Sequence, residues 1–192
     1  MSLIPLVLAS GSPYRAALLD RFGLRFEICT SDFDETPRDG EAPQALVQRL
    51  SLGKAEAVAK TRSSALVIGA DQIAVLDEQI LGKPGTRERA IAQLQQMSGR
   101  AVHYLSGMAL IGPGIRRVEI VPTVLKFRVL SRPEIERYVE RDQPLDCAGA
   151  MRSEALGCTL LEYLRSDDPT ALIGLPLIRL AEWLREAGFE LP

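Results

Sequence analysis

The sequence predicts a protein of the α/β class or, more broadly, a mixed α+β fold. Short apolar segments typical of strands alternate along the chain with segments whose apolar residues recur at helical spacing. Neither an internal repeat nor a linker-like tract breaks this order. The chain has 192 residues, of which 46% are hydrophobic, so it can bury a substantial core, and we expect one domain over residues 1–192.

Capping and turn residues mark the elements of the N-terminal part. Ser12 is a suitable helix N-cap because its hydroxyl can accept from free amides of the first turn, and Pro13 suits the first helical position. The predicted elements are, in order, a strand over 3–9, a helix ending at Gly23, a strand over 25–29, a polar loop over 32–40, and a helix from Pro43 to about Arg62 whose inward stripe holds Leu46, Val47, Leu50, Ala57 and Val58.

The remainder of the chain alternates in the same way. Thr86 caps a helix that Ser98-Gly99 ends, and Ser131 with Glu134 makes a start that resembles a capping box. The predicted elements are a strand over 67–76, a turn over 82–84, a helix over 86–97, a hairpin with strands 101–111 and 116–129, a helix from Ser131 to about Glu140, and a helix from Pro176 to near Gly188 that buries Leu177, Leu180, Ala181 and Leu184.

Composition and charge exclude several classes of function. A net charge of -2 gives no general attraction for a nucleic-acid polymer or an anionic membrane, so a small phosphorylated ligand fits better. The chain lacks both a stretch that could span a bilayer and a signal-peptide pattern, so we expect it in the cytoplasm. Cys29, Cys147 and Cys158 match no disulfide or zinc pattern, and the single histidine, His103, argues against Ser–His or Cys–His hydrolases.

The segment from Ser10 to Arg15 is the most informative part of the chain, because it follows a strand and opens a helix. Arg15 lies in the first helical turn, where the helix dipole disfavours a cation. A bound phosphate would explain this mismatch, since the helix N-terminus and the guanidinium would converge on one anion. The alternative is an ordinary capped helix with an exposed arginine.

Two acidic positions are candidates for chemistry. Asp71 interrupts an apolar strand, where a carboxylate needs a partner or a metal; a buried, paired structural aspartate is the alternative. If Asp71 and Gln72 contact one ligand, a bulge or a strand end must intervene, because strand side chains alternate in direction. Glu35 lies in the loop 32–37, whose three carboxylates could bind magnesium with substrate phosphates or could simply be solvated.

Two lysines complete the set. Lys54 falls on the apolar stripe of the second helix, where it needs an anionic partner or must reach the surface, and Lys83 lies on a constrained turn. With Arg15 these cations could neutralise a polyphosphate, while Glu35 and Asp71 could bind a metal or accept a proton from water. We therefore expect the five side chains to share one pocket.

Several short motifs follow one another along nearly the whole chain. They are Leu8-Ala9-Ser10-x-Ser12-Pro13-x-Arg15, Asp34-Glu35-Thr36, Lys54-Ala55, Gly69-Ala70-Asp71-Gln72, Gly82-Lys83-Pro84, Ser98-Gly99 and Gly174-Leu175-Pro176. This combination resembles the Maf family of nucleoside triphosphate pyrophosphatases. The resemblance implies an inosine-triphosphate-pyrophosphatase-like fold with two lobes around a central cleft, and a homodimer. It also implies cleavage of a nucleoside triphosphate to the monophosphate and diphosphate with a divalent cation, Mg²⁺ or Mn²⁺.

The resemblance further implies a role for each matching residue. Asp71 would accept a proton from the attacking water, and Glu35 and Asp71 would bind the metal. The residues implied to hold phosphates or transition-state charge are Ser10, Ser12, Arg15, Lys54 and Lys83.

Three positions resemble the family branch that acts on 7-methylguanosine triphosphate, namely Tyr14, Gln72 and Glu154. That branch commonly has tryptophan where this chain has Tyr14; the branch acting on thymidine and uridine triphosphates has arginine, threonine and glutamine at the three positions. The chemistry agrees, because an aromatic ring can stack on the cationic base and a carboxylate can accept from guanine N–H groups. Alternatively, Tyr14 packs on its own helix and Glu154 pairs with Arg152.

Two rival functions remain at this stage. The first is the same reaction on thymidine, uridine or other nucleoside triphosphates. The second is a nucleotide-binding regulator of septum formation, which the family's association with septation suggests.

Overall fold

A seven-stranded mixed sheet and five α-helices make up the described part of the chain, residues 4–192 of a computed structural model. The strands are β1 (Leu6–Leu8), β2 (Glu27–Ile28), β3 (Leu66–Leu76), β4 (Gln79–Leu81), β5 (Ala101–Gly112), β6 (Ile115–Phe127) and β7 (Leu161–Ser166). The helices are α1 (Pro13–Asp20), α2 (Pro43–Ala59), α3 (Arg87–Met97), α4 (Arg132–Asp142) and α5 (Leu177–Glu186). Short 3₁₀ turns cover Ala148–Ala150, Leu156–Leu160 and Ala171–Ile173. No described helix combines the length and the apolar composition that a membrane span requires.

The sheet contains both parallel and antiparallel pairs. Its strand order is β2-β1-β3-β5-β6-β7, and β4 pairs with β3. β1 is parallel to both neighbours, with Val7 opposite Glu27 on β2 and opposite Val67 on β3. β4 is antiparallel to β3, and β7 is antiparallel to β6. This mixed sheet with interspersed helices confirms the predicted α/β, mixed α+β class.

The chain forms two compact units. The first unit contains the described residues up to Asp71 together with Ser106–Val121 and Asp168–Pro192. The second unit contains Gln72–Leu105 and Pro122–Asp167. Each unit is thus assembled from segments that are distant in sequence.

In the first unit, alternate residues of β1 and β3 pack on opposite sides of the sheet. Leu8 and Ile68 belong to a cluster with residues of α1 and α5. Val7 and Val67 belong to another cluster with residues of α2, among them Val58. Strands covered on both faces are apolar throughout, which explains why β1 and the start of β3 lack polar residues.

Glycine brings α2 unusually close to β3. A Cβ added at Gly69 would lie 2.1 Å from the Ser51 carbonyl oxygen and 2.7 Å from the Ala55 amide nitrogen. Any side chain larger than a hydrogen atom at position 69 would therefore push α2 away from β3. The close approach is what brings the α2 residue Lys54 beside Asp71, two residues beyond Gly69 on the same strand.

In the second unit, α3 and α4 begin with side-chain caps. Thr86 accepts from the Arg89 amide, as the sequence predicts. Ser131 and Glu134 form the predicted capping box, in which the Glu134 carboxylate accepts from the Ser131 amide at 2.8 Å. The core of this unit includes the fully buried side chains of Tyr104 and Phe127.

The predicted elements are present, with several differences at their ends. The strand predicted over 3–9 is Leu6–Leu8, and residue 3 lies outside the described residues. α2 ends at Ala59 rather than near Arg62, because the Arg62 amide bonds to the carbonyl three residues back in a tightened final turn. The strand predicted over 25–29 is only Glu27–Ile28, and Pro176 is the N-cap of α5 rather than its first residue. Ala57 and Ala181, expected in buried stripes, are half-buried.

Two strands escaped prediction. β4 has three residues, too few to show a periodicity. β7 has four consecutive exposed residues at its centre, Glu162–Arg165, so it lacks the alternation of a half-buried strand.

We predict that Gly69→Ala lowers the free energy of unfolding by roughly 2 kcal/mol or more, because the new methyl group must displace backbone atoms of α2. Urea unfolding measures the change. Gly82→Ala is the matched control, because a Cβ at Gly82 meets no atom within 4 Å. Equal stabilities of the two variants would contradict the close approach described above.

Candidate active site

The Lys54 ammonium joins the two acids that the sequence singles out. Its Nζ donates to Asp71 Oδ1 at 2.7 Å and to Glu35 Oε2 at 2.8 Å. Lys54 is only 7% exposed, so its charge depends on these partners rather than on water. The prediction that Lys54 needs an anionic partner is confirmed, and Glu35 is more than a solvated acidic side chain.

Asp71 is also buried, at 8% exposure, and lies within the continuous strand β3. No strand end separates Asp71 from Gln72, because β3 continues from Leu66 to Leu76. Oδ1 is occupied by Lys54, whereas Oδ2 makes no hydrogen bond to the described residues. The second carboxylate oxygen is therefore available to a water molecule, a metal or a substrate.

Arg49 of α2 binds the loop over residues 32–41, here called the acidic loop, on both sides of Glu35. Its guanidinium binds the Glu41 carboxylate through two hydrogen bonds of 2.6 and 2.7 Å. The same group donates to the Thr36 carbonyl at 3.0 Å and to the Asp34 carbonyl at 3.4 Å. The planar guanidinium thus holds the residue before and the residue after Glu35, which orients the Glu35 side chain toward Lys54.

A second contact anchors the loop to α2. The Phe33 ring lies so close to Gly53 that a Cβ there would be 2.2 Å from the ring carbon Cζ. The ring therefore packs against α2 at the residue that precedes Lys54. The loop is held by this packing as well as by the hydrogen bonds of Arg49.

Arg15 and Ser10 are hydrogen-bonded at the start of α1, where the sequence predicts an anion-binding site. Ser12 is the N-cap, and its Oγ accepts from the Arg15 amide at 3.4 Å. Ser10 Oγ accepts from the Ser12 amide and from Arg15 Nη1, each at 3.2 Å. Because two donors occupy its lone pairs, the Ser10 hydroxyl proton is free to point to a ligand.

The Arg15 side chain is oriented by the chain near the C-terminus. Its Nε donates to the Gly174 carbonyl at 3.0 Å, while Nη2 makes no hydrogen bond to the described residues. Burial lowers the pKa of the Arg15 guanidinium, and the negative charges of Asp71 and Glu35 oppose that shift. The charges of Asp71 and Glu35 act on Arg15, and Lys54 bonds to both acids, so these four side chains lie near one another in the first unit. That they line one pocket stays a prediction.

Asp168 holds the backbone that presents Gly174 to Arg15. It is buried, and its carboxylate accepts from the amides of Thr170 at 2.9 Å and Ile178 at 2.8 Å. Gly174 itself has φ +123°, a conformation that strongly favours glycine. The carbonyl that orients the guanidinium is therefore fixed by its own loop.

Lys83, the fifth predicted pocket residue, lies in the second unit on an exposed turn. The Gly82 carbonyl accepts from the Gly149 amide at 3.3 Å, and the Gly85 amide donates to the Leu145 carbonyl at 2.9 Å. The turn is thus tied at both ends to the segment that leads to Glu154. Sharing of one pocket by Lys83 and the other four residues stays a prediction.

Glu154 also lies in the second unit. Its Oε1 is 3.9 Å from Arg152 Nε, and its Oε2 accepts from the Ser153 hydroxyl at 3.3 Å. The pairing with Arg152 that the sequence allowed is therefore present. Tyr14 is half-buried at the second position of α1, and Gln72 is half-buried directly after Asp71.

The oxygen ligands match a cation that is shared with a substrate. No group of three or more metal-binding side chains occurs among residues 4–192. Two carboxylates, Glu35 and Asp71, do meet at the Lys54 ammonium. Mg²⁺ is commonly bound by one or two carboxylates together with substrate phosphates and water, so this pair suits such an ion.

Comparison with known proteins decides the family. A family profile described as "Maf-like protein" matches residues 5–187. The chain belongs to the Maf family. This confirms the resemblance that the motifs indicate, and the profile includes nearly all of the residues discussed above.

Relatives of this Maf chain share about half of its residues. A protein of Nitrosococcus oceani named 7-methyl-GTP pyrophosphatase is 52% identical over 96% of this chain and 94% of its own length. Proteins with the same name from Pseudomonas aeruginosa and Aromatoleum aromaticum are 51% and 53% identical, over 97% of this chain and 98% and 97% of their own lengths. Among solved structures, the Staphylococcus aureus Ham1 protein shares the fold, with a TM-score of 0.57 at 16% identity over 95% of this chain and 99% of that chain.

Sequence reasoning missed the residues that orient the Maf site. Arg49 is a half-buried residue of α2, and its distance in sequence from Glu35 does not reveal its hydrogen bonds to the backbone of the acidic loop. Gly174 belongs to a motif of the sequence, but the motif does not reveal that its carbonyl accepts from Arg15. Both contacts join residues distant in sequence, and no local pattern encodes them.

We predict that Lys54→Met lowers the free energy of unfolding by about 3 kcal/mol, because it removes the cation that is hydrogen-bonded to the buried Asp71 carboxylate. Glu35→Gln should cost less than about 1 kcal/mol, because the Glu35 side chain is 57% exposed. Urea unfolding compares the two. The double variant Lys54→Met/Asp71→Asn should recover part of the loss; if it is less stable than Lys54→Met, Asp71 is not the group left unpaired.

The acidic loop should also give a defined pH dependence. Hydrogen bonds from Arg49 lower the pKa of Glu41 from 4.5 to about 2. The resulting stability is fully present above pH 4.5 and is lost as the pH falls through about 2. We therefore predict that the difference in urea midpoint between the wild type and Glu41→Gln shrinks over this interval, and a constant difference would show that ionisation of Glu41 is not responsible.

Proposed function

We propose that this Maf protein is a nucleoside triphosphate pyrophosphatase that hydrolyses 7-methyl-GTP to 7-methyl-GMP and diphosphate. The observation that carries the chemistry is the buried Lys54 ammonium between Asp71 and Glu35, with Arg15 beside them. Relatives about half identical over nearly the whole chain, named for this activity, support the substrate.

The start of α1 is suited to bind the phosphate chain. The Ser10 hydroxyl proton and the two N–H groups of Arg15 Nη2 are free to donate to phosphate oxygens. The N-terminal end of the α1 dipole adds a positive potential. These groups would bind and orient the triphosphate, and they would stabilise negative charge that develops as the anhydride bond breaks.

Asp71 is the group proposed to activate water. A water at Oδ2 would give up a proton to this oxygen as its own oxygen bonds to phosphorus and the bridging P–O bond breaks. Lys54 holds the carboxylate in place through Oδ1, so Oδ2 keeps one direction. Lys83 is proposed to neutralise a further phosphate charge.

We propose that Glu35 and Asp71 together bind a divalent cation, Mg²⁺ or Mn²⁺. Such a cation neutralises the charge of non-bridging phosphate oxygens and polarises the phosphorus. Arg49 preserves the direction of Glu35 for this purpose. Activity should be lost with a chelator and restored by adding Mg²⁺ or Mn²⁺; turnover that persists in the chelator would contradict this role of the two carboxylates.

Base recognition is proposed to use Tyr14, Gln72 and Glu154. A tyrosine ring can stack on the cationic 7-methylguanine, with a gain of about 0.5–2 kcal/mol. The Glu154 carboxylate can accept from the base N1–H and amino group. The neighbouring Ser153 and Arg152 restrict the direction of Glu154, which reduces the entropy lost on binding.

We also propose a quaternary structure and a cellular location. We propose a homodimer on the basis of the family resemblance, and a cytoplasmic location on the basis of the sequence pattern described above. Light scattering coupled to gel filtration measures the mass in solution, and a value near the 21.0 kDa of one chain would reject the dimer.

A substrate comparison tests the proposed function. We expect 7-methyl-GTP to be hydrolysed with a higher kcat/KM than GTP, dTTP, UTP or ITP, with diphosphate as the product. Asp71→Asn should lower kcat by about 10²-fold or more, because the proton acceptor is lost. A clear preference for another nucleotide would reject the substrate, and unchanged turnover in Asp71→Asn would reject the mechanism.

Glu154→Gln separates base recognition from phosphate binding. It should lower kcat/KM for 7-methyl-GTP more than for UTP, because UTP lacks the guanine donors that the carboxylate accepts from. Ser153→Ala is the neighbouring control that keeps the carboxylate. An equal loss for both nucleotides would assign Glu154 a structural role only.

A further inference from the structure

The second unit contains a basic cavity of about 230 Å³ to which the proposed catalytic residues contribute nothing. It lies between α4 and the 3₁₀ turn Leu156–Leu160. Its lining residues are Arg128, Glu134, Arg137, Tyr138, Arg141, Leu156, Thr159 and Leu160. Three arginines around a partly apolar floor form an arrangement suited to an anion.

Two of these arginines have no anionic partner in the protein. Arg137 and Arg141 make no ion pair with residues 4–192, and they stand one helical turn apart on α4. Like charges at this spacing destabilise a helix. Arg141 lies in the last turn of α4, where the helix dipole favours a positive charge. Arg137 lies outside the last turn and lacks this favourable interaction. An anion that bridges the two guanidinium groups would remove the repulsion.

The Glu134 carboxylate, which lines the cavity, already accepts hydrogen bonds from other residues of the protein. Glu134 Oε2 accepts from the Ser131 amide at 2.8 Å and the Ser131 hydroxyl at 2.6 Å. Its Oε1 accepts from two nitrogens of Arg128, each at 3.3 Å. Glu134 therefore neutralises Arg128 and the start of α4, and Arg137 and Arg141 form no ion pair with it.

Hydrogen bonds fix the walls of the cavity before any ligand arrives. Tyr138 is 4% exposed, and its hydroxyl accepts from the Arg152 amide at 2.9 Å. The Leu156 amide donates to Asp142 Oδ2 at 2.9 Å, and Arg128 Nε donates to the Thr159 carbonyl at 3.0 Å. The helix and the 3₁₀ turn are thus held together, so the backbone around the cavity is fixed, and the exposed Arg137 and Arg141 side chains would become ordered on binding.

We propose that this cavity binds a small phosphate dianion through Arg137 and Arg141. Three arginines and one glutamate line the cavity, and the Asp142 carboxylate bonds to the amide of the lining residue Leu156, so the surroundings are net positive and suit a phosphate group. The cavity is smaller than typical ligand pockets, so it favours inorganic phosphate or a small phosphomonoester over a nucleoside triphosphate. The site is independent of the proposed catalytic reaction.

Site-resolved arginine modification tests the proposal in the unaltered protein. The protein is treated with phenylglyoxal, with and without inorganic phosphate at constant ionic strength, and mass spectrometry follows each arginine. We expect phosphate to slow modification of Arg137 and Arg141 several-fold and to leave Arg132 unchanged, because Arg132 lies on the same helix outside the cavity and pairs with Glu136. Unchanged rates at Arg137 and Arg141, with protection of Arg15 alone, would overturn this site and leave the catalytic proposal intact.

Variants provide the second measurement. The double variant Arg137→Gln/Arg141→Gln should weaken phosphate binding at this site by about tenfold or more in calorimetric titration, because two charge-assisted contacts are lost. Arg132→Gln is the matched control and should bind like the wild type. A parallel titration with ribose 5-phosphate identifies the source of the dianion: tighter binding than inorganic phosphate indicates a phosphomonoester, and weaker binding indicates free phosphate. Equal affinity of the double variant and the control for both ligands would overturn the proposal.

Discussion

The burial of one ammonium group between two carboxylates governs the candidate site. Lys54 is almost removed from water, and its charge is stabilised only because Asp71 and Glu35 reach it from a strand and from a loop. A buried ion pair adds little net stability over a well-packed apolar core, but loss of one partner is costly. The arrangement therefore restricts how α2, β3 and the acidic loop can pack, and it holds two carboxylates in a defined direction for chemistry.

Close backbone approach makes this ion pair possible. Gly69 lets α2 lie against β3, and Gly53 lets the Phe33 ring lie against α2. The first contact sets the distance from Lys54 to Asp71, and the second fixes the loop that carries Glu35. Arg49 adds hydrogen bonds on both sides of Glu35. Packing and electrostatics thus depend on each other, because neither the loop nor the helix would hold its place through the salt bridges alone.

Positive charge is used differently in the two units. Arg15 in the first unit is bound by Ser10 and Gly174, and it faces the acids of the site. Arg137 and Arg141 in the second unit lack anionic partners among the described residues and line a cavity of their own. A guanidinium that is oriented in advance suits a transition state, whereas two unpaired groups on a helix suit a ligand that supplies the missing charge.

The amino-acid sequence by itself determined the mixed α/β class, most helices and strands, and the residue types of the site, because caps, turns and apolar periodicity act over a few residues. It also indicated that Lys54 on an apolar stripe needs an anion. Only the tertiary structure decided which anions those are, how Arg49 and Gly174 orient the site, and that β7 exists as an exposed strand. These features depend on contacts between residues 13 to 159 positions apart in the chain, and such contacts leave no local pattern to read.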